Sequence, residues 1–238
     1  MPMNKTGIEW CDLTWNPVTG CKHGCPYCYA RAMAKRFNGS KAFPKGFEPT
    51  FHKERLTQPA SQPKHQTVFV VSMGDLFGEW VPQEWIFQVI RAMDDAPQHT
   101  YQLLTKNPER MKQIFNASVK VRPNFWLGAS VGDCDESWKR VPAMQVLGDR
   151  GWNTFLSVEP LVTFPFIPPK NLSAIGWVII GMQTNPLLPC EPEVIEAVVE
   201  SARANTIPVF LKNSVSLCFG RSIVEPSREL PPGIRLNK

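Results

Sequence analysis

Seven short runs rich in apolar and β-favouring residues punctuate the chain: Ile8–Val18, Thr67–Ser72, Thr100–Thr105, Asn124–Ser130, Asn153–Val158, Trp177–Ile180 and Ile207–Leu211. Stretches with helical spacing lie between most of them: Cys28–Phe37, Pro82–Met93, Pro108–Phe115, Asp135–Leu147 with a break at Pro142, and Glu193–Ala204. Runs that are apolar throughout, alternating with helices, describe a parallel sheet buried on both faces. Six or seven such units predict an α/β fold and fit a closed or partial (β/α) barrel of six to seven mainly parallel strands better than an open sheet, an alternative that spacing alone leaves standing. The helices weaken after the fifth strand, which favours an incomplete barrel.

At 238 residues and 43% hydrophobic, the chain can bury a substantial core as one domain spanning 1–238. Two stretches stand apart from the rhythm. Residues 38–64 are rich in Gly, Pro, Lys and Ser and predict a surface excursion with a short strand near Thr50–His52. From about Gly220 onward the sequence predicts an irregular tail. A formal net charge of +5 permits a polyanionic partner, although a solvated surface with surplus lysine explains it more simply. No apolar run reaches the length of a membrane span and Met1–Trp10 lacks a signal-peptide core. The expectation is a cytoplasmic protein without membrane contact, in a compartment where clustered cysteines bind metal or do chemistry.

Three of the seven cysteines are clustered, in Cys21-Lys-His-Gly-Cys25-Pro-Tyr-Cys28. The others, Cys11, Cys134, Cys190 and Cys218, are scattered, and Cys134, Cys190 and Cys218 read most simply as small buried residues. Three thiolates from one loop can bind three irons of a four-iron cubane and leave the fourth iron open. They can also make a zinc site if Cys11 or His23 supplies the fourth ligand, although His23 is cramped between Cys21 and Cys25.

In a barrel of this kind, chemistry sits at the C-terminal ends of the strands. There the sequence places Ser72-Met73-Gly74-Asp75, Lys106, Ser130, Glu159, Gly181 with Gln183, and Lys212. Singly, each has a plain structural reading as a helix cap, an exposed strand end or a surface ion pair; together they favour a site.

The Cys21-x-x-x-Cys25-x-x-Cys28 spacing, with Tyr27 before the last cysteine, resembles the cluster motif of the radical S-adenosylmethionine (SAM) superfamily. More narrowly, Trp15–Cys21, Phe51-His52 with Arg55-Leu56, Ser72–Phe77, Leu104–Arg110, Trp126–Val131, Leu156–Leu161 and Trp177–Gly181 are similar to phage and prophage proteins described as three-cysteine-motif or radical-SAM-like. The resemblance covers roughly residues 7 to 215. It implies a radical-SAM-like barrel in which Cys21, Cys25 and Cys28 hold a [4Fe-4S] cluster whose open iron is chelated by SAM. It places Tyr27 near the adenine, and Ser72, Met73, Gly74 and Asp75 at the methionine amino group. Ser130 falls to the ribose, and the backbone of Gly181 to the adenine.

It further implies cleavage of SAM to a 5′-deoxyadenosyl radical, with an external electron donor as partner. Lys106, Glu159, Gln183 and Lys212 then face the substrate, and the two lysines suit an anionic group. The phage setting, together with the positive charge, points to nucleic acid or a nucleotide as that substrate. The excursion contributes basic residues interleaved with Phe37, Phe43, Phe47 and Phe51, which can meet phosphates and stack on bases or simply pin the loop to the barrel. The sequence departs from those relatives at one place. Their Gly-Gly-Glu-Ser-Gly is Gly181-Met-Gln-Thr-Asn185 here, so a carboxylate has become the amide of Gln183. The competing class is a non-enzymatic zinc- or cluster-binding module of a phage-encoded assembly.

Overall fold

The computed structural model describes residues 3–117, 119–161, 171–184, 186–188, 190–216 and 227–237. Cys218, Asn185 and the start of the tail at 220–226 lie outside the described residues. The chain forms two compact units, one running to Thr105 and including the residues from Ile234, the other from Lys106 to Gly233.

The first unit holds β1 (Asn4–Lys5), β2 (Leu13–Trp15), β3 (Val18–Thr19), α1 (Tyr29–Arg36), β4 (Thr50–Phe51), β5 (Thr67–Val70), α2 (Gln83–Asp94) and β6 (Thr100–Thr105). Its strands run in the order β1-β2-β5-β6, with β1 antiparallel to β2 and the other neighbours parallel. The register pairs Trp15 with Val70 and Thr67 with Thr100. Trp15, Val68, Ile86, Met93 and Tyr101 are buried to 2% exposure or less, each contributing on the order of 1.5–3 kcal/mol. Helix α2 supplies Ile86, Val89, Ile90 and Met93 at three- and four-residue spacing, which is why the segment is helical. The end of the chain returns here: the Asn237 backbone N–H donates to Asp12 Oδ1 at 2.7 Å, and Asp12 Oδ2 accepts from the Thr67 N–H at 2.9 Å.

The second unit holds α3 (Pro108–Ala117), β7 (Phe125–Val131), α4 (Val141–Asp149), β8 (Asn153–Val158), β9 (Trp177–Ile180), β10 (Gln183–Thr184), β11 (Leu187–Leu188), α5 (Pro192–Ala204) and β12 (Val209–Leu211). Strands β7-β8-β9-β12 are neighbours in that order and all parallel, and β7 is buried along its whole length, as its apolar sequence requires. β10 and β11 form a separate antiparallel hairpin.

Four expectations change. The first strand is not continuous over Ile8–Val18: β2 and β3 are separate, because Asn16 leaves the sheet to bind the turn after β5 and Pro17 has no N–H to donate. The second strand stops at Val70, since Val71 takes a left-handed backbone with φ 59°. Pro142 does not interrupt a helix; a 3-10 turn covers Asp135–Arg140 and Pro142 sits in the first turn of α4, where its missing N–H costs nothing. The tail is not wholly irregular. Arg228 bridges antiparallel to Phe210, and the Glu229 backbone carbonyl accepts from Trp177 Nε1 at 3.0 Å. Among the described residues no helix is long and apolar enough to cross a membrane.

Candidate active site

The cysteine loop joins β3 to α1, and its root is pinned. Gly20 pairs with Gly74 in an isolated bridge, its N–H donating to the Met73 carbonyl at 2.9 Å, and the Cys21 N–H donates to the Phe47 carbonyl at 3.2 Å. Gly20 has φ +92°, and a Cβ there would lie 2.4 Å from the Glu48 carbonyl oxygen, so only glycine fits. At its other end the loop runs into α1 through Cys28, whose Sγ accepts from the Arg31 N–H at 3.4 Å as the helix cap. Cys21, Cys25 and Cys28 are all half-buried, as is Tyr27 on the turn before Cys28.

The thiols are mutually close enough to matter electrostatically. Burial pushes the Cys21 thiol up to about 12; Asp75, Cys25 and Cys28 push it the same way, and a backbone hydrogen bond at His23 opposes them. Thiolates crowded beside a carboxylate need a cationic partner, and an iron cluster bound through three cysteines supplies one. Among the described residues, no three His, Cys, Asp or Glu side chains are gathered tightly enough to hold a single metal ion. A cubane makes no such demand, because each cysteine ligates a different iron. Among the described residues, neither Cys11 nor His23 completes with the loop cysteines a group that could hold a single metal ion. The donor set therefore fits a cluster better than a closed tetrahedral zinc site.

The segment after β5 is built around Asn16 and Asp75. Asn16 Oδ1 accepts from the Ser72 hydroxyl at 3.2 Å and from the Met73 N–H at 2.9 Å, while the Asn16 carbonyl takes the Arg55 guanidinium at 2.8 Å. Asp75 is buried. Its Oδ1 accepts from the Thr105 hydroxyl at 2.7 Å and the Phe77 N–H at 3.0 Å, and its Oδ2 bonds His23 Nε2 at 2.7 Å. The His23 ring stands edge-on to Trp80, 4.8 Å between centroids. The Tyr29 hydroxyl donates to the Ser72 carbonyl at 2.8 Å. The backbone strain at Val71, on the order of 1–3 kcal/mol, immediately precedes this segment.

Thus Cys21, Cys25, Cys28, Ser72, Met73, Gly74 and Asp75 belong to one unit, with the root of the cysteine loop and His23 joined to the segment after β5. Sequence reading missed Asn16 and Trp80, and weighed His23 only as a metal ligand. The sole local signal was the placing of Asn16 beside Pro17 at a strand end.

In the second unit the remaining candidates form two ion-pair groups and a hairpin. Lys106 Nζ and Arg140 Nη1 converge on Asp133, and Arg140 also donates to the Ser130 carbonyl at 2.7 Å. Ser130 itself is buried near the end of β7. Lys212, after β12, pairs with Glu159, after β8. Gly181 lies against that pair: a Cβ there would be 2.7 Å from Lys212 Cδ and 3.0 Å from Glu159 Cδ. Gln183 is buried in β10 and donates its side-chain N–H to the Pro186 carbonyl at 3.0 Å, across the β10–β11 turn. A carboxylate at 183 has no proton to give that carbonyl, which accounts physically for the amide.

The solved structures most like this one include spore photoproduct lyase complexed with dinucleoside spore photoproduct, at a TM-score of 0.53 and 9% identity, covering 84% of this chain and 63% of that one. A mutant of the same lyase with dinucleoside spore photoproduct superposes at 0.54 and 10% identity with the same coverage. Another mutant, with bound AdoMet and dinucleoside spore photoproduct, does so at 0.53 and 10% identity, again covering 84% and 63%. This chain therefore spans about 63% of the length of those proteins, and the likeness is one of fold, the mainly parallel α/β partial barrel implied by the resemblance to the radical SAM superfamily. No curated protein matches the sequence. A family profile matches residues 5–219. The chain belongs to that family, described as a protein of unknown function, DUF5131.

Proposed function

We propose that this chain is a radical SAM-type enzyme forming one radical-SAM-like domain, with Cys21, Cys25 and Cys28 holding a [4Fe-4S] cluster. The observation that carries the reading is the pinned loop: three half-buried thiols whose root is bridged, through Gly20 and Gly74, to the segment that presents Asp75. When bound, the cluster and SAM supply one-electron reductive cleavage to a 5′-deoxyadenosyl radical that abstracts hydrogen from substrate. Asp75, oriented by Thr105 and Phe77, receives the ammonium of the methionine moiety. Ser72 and Met73 are held in place for the same group by Asn16. Tyr27 and the backbone of Gly181 serve the adenine, and Ser130 the ribose. A lysine is a compact charge suited to an anionic group, so Lys106 and Lys212, each tied to a carboxylate, face a substrate phosphate, and Glu159 and Gln183 serve the substrate as well.

A nucleotide or nucleic acid is the proposed substrate. The dinucleoside bound by the lyase of similar fold supports this class, as do the exposed Lys41, Lys45, Lys53 and Lys64 of the excursion. The aromatics there support it less. Phe43 is buried, Phe47 lies under Arg31 at 5.7 Å, and Phe51 stacks on Trp85 at 5.2 Å, so these rings secure the loop.

Anaerobic reconstitution with iron and sulfide tests the proposal. The expected result is a brown protein with about four irons per chain that converts SAM to 5′-deoxyadenosine, and a Cys25→Ala variant that does neither. A folded protein that takes up only zinc overturns it.

A further inference from the structure

The proposed chemistry consumes one electron per SAM cleaved, and the electron must come from outside. The cysteines beyond the loop, Cys11, Cys134, Cys190 and Cys218, are too scattered to make a second cluster motif. The surface beside the loop has two properties that bear on where the electron enters.

First, α1 begins at Cys28 and exposes an apolar stripe. Tyr29 is 50% exposed, Met33 36% and Phe37 42%. Successive fourth residues lie one above the other on a helix, so these three share a face. The helix buries only Ala30 and Ala34, on another side. At 1.5 Å per residue its eight residues span about 12 Å, so the whole stripe lies within a short electron-tunnelling distance of Cys28.

Second, the sequence around α1 is strongly basic. No Asp or Glu occurs between Asp12 and Glu48, whereas Lys22, Arg31, Lys35, Arg36, Lys41 and Lys45 all do. Lys22 is paired with Glu48 at 2.9 Å. Lys35 and Arg36, in the last turn of α1, are exposed beside the stripe, and Lys41 and Lys45 follow.

We infer that the Tyr29–Met33–Phe37 face of α1, with Lys35 and Arg36, is the docking surface for a small acidic one-electron carrier protein. This rests on the radical SAM reading above. An apolar centre flanked by charge is the composition of a transient protein interface, and an acidic partner complements the exposed Lys35 and Arg36 beside the stripe. A nucleic acid fits the face less well. Met33 offers no stacking plane, the face of the Phe37 ring is covered by the Arg36 guanidinium at 5.4 Å, and the Tyr29 hydroxyl is committed to Ser72. In the transfer, the carrier is oxidised by one electron and the site at the cysteine loop gains it; no proton moves and no bond is made.

The test uses reduced plant-type ferredoxin as the carrier and photoreduced deazaflavin, a small neutral reductant, as the control. Reduction is read by bleaching of the iron chromophore after rapid mixing. Binding is read separately, by anisotropy of labelled ferredoxin, and needs no iron. The Lys35→Glu, Arg36→Glu double variant is expected to be reduced at least tenfold more slowly by ferredoxin and at the unchanged rate by deazaflavin. Met33→Ser is expected to weaken ferredoxin binding while leaving the deazaflavin rate unchanged. Equal ferredoxin affinity for wild type and double variant overturns the docking surface. So does equal slowing with both reductants, or ferredoxin displacement by a single-stranded oligonucleotide whose binding requires Lys35 and Arg36. Failure of the wild type to take up iron sinks the functional reading instead, and the anisotropy measurement still decides the surface.

Discussion

His23 Nε2 lies 2.7 Å from Asp75 Oδ2, so a residue inside the cysteine loop is bonded to the carboxylate that follows the second strand of the predicted series. With the Gly20–Gly74 bridge it forms a second link between loop and segment, and Trp80 closes over the imidazole edge. His23 thereby positions the loop through Asp75.

Removing either partner strands the other. His23→Ala is expected to lower stability by about 1–3 kcal/mol, and Asp75→Ala by more, because the Thr105 hydroxyl and the Phe77 N–H lose their acceptor as well. Urea unfolding checks both. In reconstituted protein, His23→Ala should lose iron to a chelator faster than wild type. His23→Asn, which can still donate to Asp75, should recover part of that loss. Equal iron retention in His23→Ala and wild type would remove the positioning role.

Gln183→Glu restores the carboxylate of the related pattern and places it against the Pro186 carbonyl. The lost hydrogen bond and the repulsion predict a destabilisation of about 1–3 kcal/mol, localised to the β10–β11 hairpin. Faster amide hydrogen exchange at 183–188, with the rest of the second unit unchanged, is the expected readout.

Gly181→Ala forces a methyl group into the Glu159–Lys212 pair. Repacking at such a contact costs about 1–3 kcal/mol, and the loss should largely disappear when Lys212 is also truncated to Ala. A double-mutant cycle by chemical denaturation measures that coupling. Additive effects would mean that the pair does not require the glycine.

His99 is buried. Its Nδ1 accepts from the Gln66 N–H at 3.2 Å, so the ring proton sits on Nε2, toward the Pro59 carbonyl at 3.0 Å. Burial, helped by His65 and opposed by the Pro59 bond, holds its pKa below the ordinary 6.5. His52 is shifted the same way, by burial and then by Arg55. Above the ordinary value both states are neutral and the stability is complete. Below it, the unfolded chain takes protons that the folded chain refuses, so stability falls with falling pH until the lowered folded values are reached. Urea unfolding at about pH 7 and about pH 5.5 should show this loss, and His99→Gln should reduce the difference.

The strand–helix rhythm was legible because it is local. Each of the strands β5 to β9 announces itself by an apolar run, and α2 and α5 by a three-to-four-residue apolar period. The cysteine loop was legible from spacing alone. What escaped were the features fixed by distant partners. Pro142 reads as a helix breaker until the preceding 3-10 turn puts it in a first helical turn. The last residues look irregular until Arg228 bridges to Phe210 and Asn237 finds Asp12, 225 positions earlier in the chain.

By itself, then, the sequence determined the order of elements and brought three thiols within one loop, since both depend on neighbours a few residues apart. Only the tertiary structure decided that His23 serves Asp75 across 52 positions, that Asn16 holds Ser72 and Met73, and that Gly181 makes room for an ion pair. Hydrogen bonds and close contacts of that kind are short-ranged in space but unrelated to distance along the chain. No local pattern encodes them, and they arise when packing of the apolar strands brings their ends together.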